Sequence, residues 1–432
     1  MKKFTLIFYL FSFLVYLSQD ELIINDANYE KNNNYNFTLG RGVQFSFDDN
    51  KHVFGIGGMS QSRYLHLKPD GSISNPSNYF GIKRTYFNMH GKLNDGLFSF
   101  LIQTNFSESF PLLDAWAGYH PSENISLFFG QKLSPLNNLS MQIMEYDLQF
   151  ASRNYLSQNF SNLGREFGFF LESRFNFGNM GIKPILAITS GDGINSFGEN
   201  SLDSDQGGFK YGGRLNIYPM GFFKTNNEFT GHDLLKEDNL KLMIGGASSL
   251  NIGASHKVGE GHYIEKETPN GIFTPDGTFM FYNADSISES KLPNYLKNNI
   301  DVLVKYKGFN FLLEYVNTAA YKLQGTAINP SGTLLDTTQI SEYLVLGNAY
   351  NVQLGYLFEN DLSIDIRWGQ SFKEFSFNEN SILKNYDNMA LGISKYFSKR
   401  AVKTQLMARY LNFYENTDFN QLSIEMLLQI KF

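Results

Sequence analysis

Apolar and polar residues alternate with a period of two along much of this chain, and the last twelve residues show the pattern most clearly. From Leu422 to Phe432 every second residue is apolar, and the residues between them are polar apart from Leu427. This period is typical of a β-strand, because successive side chains point to opposite faces of the sheet. Twelve residues of strand reach about 40 Å at about 3.3 Å per residue. That length crosses a bilayer core of about 30 Å, even for a tilted strand.

The same alternation recurs in pairs of segments that are joined by turn residues. Residues 83–93 and 98–106 are separated by Asn-Asp-Gly, and Asp-Gly suits the positive φ angles of a hairpin turn. Counting from residue 54 gives sixteen candidate strands, provided that residues 221–230 are turn or loop. Some connections are short turns and the others are much longer, an asymmetry that is typical of outer-membrane barrels.

These strands predict an all-β fold, a transmembrane antiparallel β-barrel of about sixteen strands. A soluble sandwich would turn the apolar faces inward, whereas a membrane barrel turns them toward lipid. In hydrocarbon every backbone polar group must be paired, so the sheet has to close on itself. We predict one barrel domain over residues 40–432. Its last strand, which ends on an aromatic residue, resembles the closing strand of Gram-negative outer-membrane barrels, and this implies the barrel assembly machinery as a partner.

The amino-terminal residues predict export. Two lysines precede an apolar run over residues 4–17, and polar residues begin at Ser18, so residues 1–19 are predicted to be a signal peptide. A short amino-terminal membrane anchor is the alternative. Residues 20–39 are rich in Asn and predict a mobile amino-terminal segment.

Three long segments break the alternation: 134–164, 253–296 and 322–341. They are long for connections in a compact fold. The first is either a loop folded into the barrel as a constriction or an external loop.

Composition agrees with a barrel and excludes several other classes. The 432 residues include 25 Tyr, 41 Phe and 38 Gly but 11 Pro, which suits many aromatic strands joined by turns. There is no cysteine, which excludes disulfides and thiolate metal sites. After the amino terminus no apolar run approaches the length of a membrane helix. The net charge of −6 argues against a nucleic-acid partner.

The sequence contains none of the common catalytic motifs. The seven His are scattered, and there is neither an H-E-x-x-H pair nor a G-x-S-x-G turn nor a phosphate-binding loop. We therefore predict that the protein is not an enzyme and needs no cofactor or metal. An outer-membrane phospholipase or protease is the enzymatic alternative.

The face opposite the apolar one would line a lumen, and its charges are mostly basic. Twelve basic and seven acidic residues share this face; they are Arg63, Arg84, Lys92, Lys132, Arg174, Arg214, Lys241, Lys305, Arg367, Lys403, Arg409 and Lys431, with Asp114, Glu166, Glu172, Asp301, Glu314, Asp365 and Glu425. A basic lumen attracts anions, and low-dielectric walls focus its field. We expect a weak anion preference, with Asp114, Lys132 and Arg153 near the constriction. For any one of these residues the alternative is a solvated or salt-bridged wall charge.

Several segments in order also carry a family likeness. They are 40–64, LLDAWAGY (112–119), LFFGQKLSP (127–135), LQFASRNYLS (148–157), FSNLGREFGFFL (160–171) and GGRLNIYPMGF (212–222). Together they resemble the phosphate-selective porin O and P family over about residues 40–220. The resemblance implies a trimeric sixteen-stranded diffusion channel with 134–164 folded inward. Met59 stands where that family has an arginine, and Ser152 replaces the acidic residue before Arg153, so phosphate selectivity is left open.

The predicted function is therefore a water-filled channel for small hydrophilic solutes in a Gram-negative outer membrane. The expected partners are membrane lipids, small anionic or hydrophilic solutes and two further copies of the chain. The alternatives are a non-conducting barrel that serves as a scaffold or secretion component, and a fatty-acid transporter. The lumen discriminates between them, because a plug or an apolar passage would argue against a porin. A TonB-dependent receptor is disfavoured, because no plug domain precedes the strands.

Overall fold

A computed structural model describes most of the chain after residue 34. The described residues are 35–70, 75–108, 111–161, 164–191, 208–253, 282–283, 293–322, 326–327, 334, 336, 338–342, 344–398, 400–415 and 420–432. The predicted signal peptide and most of the predicted mobile segment lie outside them. So do most of segment 253–296 and much of segment 322–341.

The described chain is dominated by β-strands. In chain order they are β1 (Tyr35–Thr38), β2 (Gly42–Phe47), β3 (His52–Pro69), β4 (Ser77–Leu93), β5 (Phe98–Asn105), β6 (Leu112–Ser122), β7 (Ile125–Leu133), β8 (Arg165–Ser173), β9 (Phe175–Phe177), β10 (Met180–Thr189), β11 (Lys210–Tyr218), β12 (Lys241–Asn251), β13 (Tyr282–Asn283), β14 (Asn294–Tyr306), β15 (Phe309–Tyr321), β16 (Thr326–Ala327), β17 (Gly347–Leu357), β18 (Leu362–Lys373), β19 (Tyr386–Ser398), β20 (Val402–Phe413) and β21 (Gln421–Lys431). Two-residue strands β13 and β16 pair with each other.

The remaining long strands form one closed antiparallel barrel. Each pairs with its neighbours in sequence, and β8 and β9 both pair with β10 as one interrupted strand. The barrel closes where β21 pairs with β3, from Lys431 opposite Met59 to Gln421 opposite Pro69. Sixteen strands close the ring, as the alternation predicts. We call the end with the short connections, such as 94–97 and 307–308, the turn end, and the other the loop end.

A short amino-terminal hairpin extends the wall beside the closure. Strand β1 pairs with β2, and β2 pairs with the first residues of β3 on the edge that β21 uses further along. Phe432 and Gly58 exchange backbone hydrogen bonds of 2.7 and 2.9 Å at this junction. Gly42 has φ +81°, and a Cβ there would lie 1.9 Å from the carbonyl oxygen of Ile56, so this close approach requires glycine.

The two faces of the wall differ sharply in exposure. On β21 the outward Met426, Leu428 and Ile430 are 51%, 43% and 46% exposed, whereas the inward Leu427 and Gln429 are 0% exposed. The outward column is therefore the apolar surface that lipid would cover. The inward column is as buried as a protein core, so other parts of the chain fill the lumen beside it.

The first of these is residues 134–164, which we call the first insert. It contains helix α1 (Leu139–Gln142), a 3-10 turn at Glu145–Asp147 and helix α2 (Tyr155–Phe160). These short helices fold into the barrel, as the inward-loop interpretation predicts, and α2 packs against β15, β17 and β18. No helix among the described residues is long and apolar enough to span a membrane.

Residues 219–240 join β11 to β12 at the turn end and form a second insert. This connection contains a 3-10 helix at Lys224–Phe229 and folds back into the lumen. The sequence analysis placed 221–230 outside the strands, which is confirmed, but gave no indication that it enters the barrel. Phe223 from this insert and Leu139 from the first pack with the inward Tyr218, Met243 and Leu303. The apolar core of the molecule thus lies between the inserts and the wall.

Candidate functional site

The candidate site is the lumen, and wall carboxylates fix where the first insert begins. The backbone N–H of Leu139 donates to Asp301 (3.0 Å), and that of Ser140 donates to Glu314 (2.7 Å). Both donors belong to the first turn of α1, whose amides have no partner within the helix. Asp301 also pairs with Arg214, which donates a second hydrogen bond to the carbonyl oxygen of Asn137 (3.0 Å).

Side-chain amides hold the middle of the first insert against the far wall. Gln149 donates to Asp365 on β18 (2.9 Å) and accepts at its backbone oxygen from Gln405 on β20 (3.0 Å). Asp147 accepts from Arg400, the Nε of which lies 2.8 Å away. Because Arg400 lies in the turn between β19 and β20, this insert reaches from the loop end to the turn end.

The second insert is held by Lys305, whose ammonium group is fully hydrogen-bonded. Lys305 Nζ lies 2.5, 2.7 and 2.8 Å from the backbone oxygens of Asn227, Thr230 and His232, which uses the three donors of an ammonium. The imidazole of His232 shares a hydrogen bond with the hydroxyl of Tyr396 (2.7 Å) and lies 3.0 Å from the carboxylate of Asp365. The insert therefore spans the lumen from β11 to β19.

The two inserts touch each other at a glycine. The N–H of Gly231 donates to the carbonyl oxygen of Asp147 at 2.7 Å. A Cβ at Gly231 would lie 2.2 Å from the backbone N of Gln149, too close for any side chain. The inserts are therefore packed as one unit across the barrel.

Asp114, Lys132 and Arg153, the residues predicted for the constriction, all lie in ion pairs. Asp114 accepts from Arg165 (3.1 Å), which also contacts Glu145 (3.3 Å), and Glu145 accepts from Arg153 (2.8 Å).

Lys132 on β7 pairs with Glu172 on β8, and its ammonium lies 3.6 Å from the centre of the Phe128 ring. This region of the lumen therefore has three basic and three acidic groups that neutralise one another.

Four other predicted residues use their guanidinium groups for packing or hydrogen bonding. Arg367 donates to the carbonyl oxygen of Ser152 (2.9 Å), and Arg84 donates to Gln61 (2.8 Å). The other two lie over aromatic rings: Arg174 is 3.7 Å from the centre of Phe222, and Arg409 is 5.0 Å from that of Tyr155. Lys92 is partly buried near the turn end of β4.

A basic cluster lies toward the loop end, around one carboxylate. Glu425 accepts from Lys83 (2.5 Å) and lies 3.9 Å from Arg63, the side chain of which is 36% exposed. Arg84 lies close enough to Lys83 for their positive charges to repel each other. Arg367 is repelled by Arg409 and attracted by Glu425. We call Arg63, Lys83, Arg84, Arg367 and Arg409 the basic cluster.

Lys83 is not among the residues predicted to face the lumen, because the strand is irregular there. The pairing of β3 with β4 shifts between Gln61 and Ser62, which makes Lys83 an extra residue and turns it inward. A strict period of two places it outward. Nothing in the sequence marks this shift.

Comparison by fold gives outer-membrane porins and channels. The anion-selective porin from Comamonas acidovorans has a TM-score of 0.53 at 10% identity, covering 88% of this chain and 100% of that chain. The outer membrane channel DcaP of Acinetobacter baumannii has 0.53 at 9%, covering 90% and 99%. OmpF of Salmonella typhi, in complex with daunomycin, has 0.51 at 13%, covering 90% and 100%.

This chain therefore has the barrel fold of outer-membrane porins, and at such identities the likeness concerns the fold alone. No protein family and no curated protein matches the chain by sequence. The resemblance to phosphate-selective porins stays a prediction.

Proposed function

We propose that this protein is an outer-membrane channel for small hydrophilic solutes, and that the two inserts constrict its passage. The proposal rests on the observation that the contacts between the inserts and the barrel wall are mostly polar. Lys305, Gln405 and Glu314 hold the inserts through hydrogen bonds to backbone groups, and Gln149 of the first insert donates to the carboxylate of Asp365. Water forms comparable hydrogen bonds when an insert moves, so such an interface tolerates hydration. The porin fold supports this proposal.

The basic cluster is where we place an anion preference. Among its five cations Lys83 and Arg63 lie against Glu425, the one carboxylate of the cluster, whereas Lys132, Arg153 and Arg165 each pair with a carboxylate. An anion entering from the loop end would meet this positive field first, and forked guanidinium donors suit phosphate and carboxylate. Phosphate is therefore one candidate solute.

A non-conducting barrel is the second candidate function, and the filled lumen favours it. The inward residues of β14 from Asn299 to Lys305 and those of β15 from Asn310 to Thr318 are all buried. Such a barrel would present its loops as a scaffold without passing solutes.

We further propose that the protein forms homotrimers in the outer membrane of a Gram-negative bacterium. The outward faces of β3, β4 and β6 include small or hydroxyl side chains among their apolar residues, such as Ser60, Ser62, Thr85 and Ala117. Hydroxyl groups are poor partners for lipid tails, and contact with another copy would cover them. A heat-labile oligomer on gels, lost on heating with the barrel intact, is the expected result; a monomer in native membranes would contradict it.

Recording from planar bilayers under a salt gradient tests the function. We expect small single-channel steps and a reversal potential toward the anion side, reduced by added phosphate. Replacing Arg63 and Arg409 with Gln should weaken the anion preference, whereas Lys51→Gln, on an exposed turn outside the basic cluster and both inserts, should not. A cation-directed potential would refute the selectivity. Absence of steps from a folded, heat-modifiable barrel would favour the scaffold.

A further inference from the structure

The lumen retains a cavity of about 100 Å³ between the β5–β11 side of the wall and both inserts. Its apolar lining comes from Leu101, Trp116 and Ile185 on the wall, from Met144 and Tyr146 in the first insert and from Phe229 in the second. This combination of a mostly apolar pocket with a few polar groups is typical of small-molecule sites.

One polar group of the lining has an unused donor. Asn216 on β11 is 1% exposed, and its Oδ1 accepts from Nε of Arg214 at 2.7 Å. Its Nδ2 makes no hydrogen bond of standard geometry among the described residues, and the hydroxyl of Tyr218 interacts with it, which leaves at least one of its two N–H donors unused. A buried donor without a partner is costly, so an acceptor oxygen in the cavity would stabilise this arrangement.

The charges at the cavity wall are already balanced. Lys132 pairs with Glu172, Lys183 lies 2.5 Å from Glu228, and Asp114 lies 3.1 Å from Arg165. An ion brought into this cavity would have no counter-ion left to pair with, and an unpaired buried charge is strongly unfavourable. The occupant is therefore uncharged.

We propose that this cavity binds a small uncharged molecule with an apolar body and one hydrogen-bond-accepting oxygen, such as a compact ketone or alcohol. An engineered protein cavity of about 150 Å³ holds the six non-hydrogen atoms of benzene, so this one, at about 100 Å³, suits about four. The oxygen would accept from Asn216, and the apolar body would pack against Trp116 and Phe229. The inference rests on the proposed function and deepens it, because it names a class of solute that the channel would retain.

Trp116 supplies the readout. The chain has two tryptophans, and the other, Trp368, is 36% exposed on the outward face, so Trp368→Phe leaves Trp116 as the single reporter. Acetone is the probe, since its four non-hydrogen atoms include the required oxygen and it quenches tryptophan on contact. We expect saturable quenching at millimolar concentration. Isobutane, which lacks the oxygen, should compete about five-fold less well than acetone, and protonated isopropylamine should not compete.

Three variants make the test specific. Asn216→Asp keeps the acceptor for Arg214 but removes the donor, and should weaken binding about five-fold. Asn388→Asp places the same change elsewhere on the inner wall and should leave binding unchanged. Ile185→Phe should fill the cavity and abolish saturation.

Quenching that rises linearly with probe and is equal in Ile185→Phe would overturn the proposal and leave the cavity as a gap for water. Equal affinity in Asn216→Asp would also overturn the role of the donor, and Ile185→Phe keeps the test valid if Asn216→Asp fails to fold. Binding without channel conductance would refute the proposed function and keep the site. Conductance without saturable binding would refute the cavity site and leave the proposed function standing.

Discussion

At the residue scale, the lumen is organised by charged side chains that bind backbone groups of the inserts rather than solvent. Glu314 is the clearest case, since it accepts from the N–H of Ser140 (2.7 Å) and from the amides of Asn138 (2.8 Å), Asn154 (3.0 Å) and Asn351 (2.7 Å). The hydroxyl of Ser140 is a fifth donor (2.7 Å), and a carboxylate with five donors is a strong acceptor that an amide cannot replace. The position of the first insert therefore depends on single wall residues.

Glu314→Gln should loosen the first insert. The new amide would turn N–H groups toward other donors, so hydrogen bonds to this side chain would be lost. The loss should reduce the stability of the first insert inside the barrel by about 2–4 kcal/mol. Single-channel recording should show larger or more frequent openings. Glu359→Gln, on an exposed turn, is the matched control and should behave as the wild type. Unchanged conductance in Glu314→Gln would argue that the first insert does not limit the passage.

At the element scale, the two inserts act as one unit because their backbones meet at Gly231. The absence of a side chain there allows the hydrogen bond of 2.7 Å to Asp147. Gly231→Val should push the inserts apart, because a Cβ would clash with backbone atoms that have no flexible alternative. We expect higher conductance and faster proteolysis within the inserts. Gly81→Val, where a Cβ meets nothing within 4 Å, is the control.

The second insert should respond to pH through Glu237. Burial raises the pKa of this carboxyl above its ordinary value, although Asn227 and the N–H of Lys224 donate to it at 2.9 Å. If the pKa of Glu237 is raised while the second insert is bound inside the lumen (its seated state), the carboxyl holds a proton more tightly there. Protonation therefore stabilises the seated state of the insert, which we call seating. Seating should therefore be strongest below the ordinary value of about 4.3 and weaken as pH rises through the raised value.

Conductance measured across this range should increase with pH. Glu237→Gln, which is neutral at every pH, should flatten the profile. A profile that keeps its slope in Glu237→Gln would assign the dependence to another group.

The alternation of apolar and polar residues predicted the strands because each has one apolar face. This pattern alone is enough to predict the barrel wall. It also predicted that 134–164 folds inward, but only through the family resemblance. It missed the inward position of residues 219–240, since what holds them is Lys305 and Asp365, which lie far away along the chain. The partner of Lys132 is likewise forty residues away, so pairing within the lumen depends on the closed barrel.

At the scale of the whole molecule, the barrel is a shell with an apolar outside and a packed inside. Ile366 is 52% exposed on the outward face of β18, and Arg367 beside it points inward. Ile366→Arg should destabilise folding into lipid vesicles by about 2–4 kcal/mol, because the charge would lie in the hydrocarbon. Phe397→Arg, near the turn end of β19, should cost about 0–1 kcal/mol, since it lies near the interface. Equal effects in denaturant titrations would contradict the membrane placement.

Thiol reactivity on the inner wall measures whether the inserts occupy the lumen. The chain has no cysteine, so Ser394→Cys gives one thiol on the inner wall, where Ser394 is buried and contacts Gln405 (3.1 Å) beneath the first insert. A small water-soluble thiol reagent should modify it at least about 100-fold more slowly than Asn360→Cys on an exposed turn, which corresponds to an opening free energy of about 2.7 kcal/mol. Adding Gly231→Val should speed the reaction. Equal rates for the two single cysteines would show that water already surrounds the inner wall, and the inserts would then not fill the barrel.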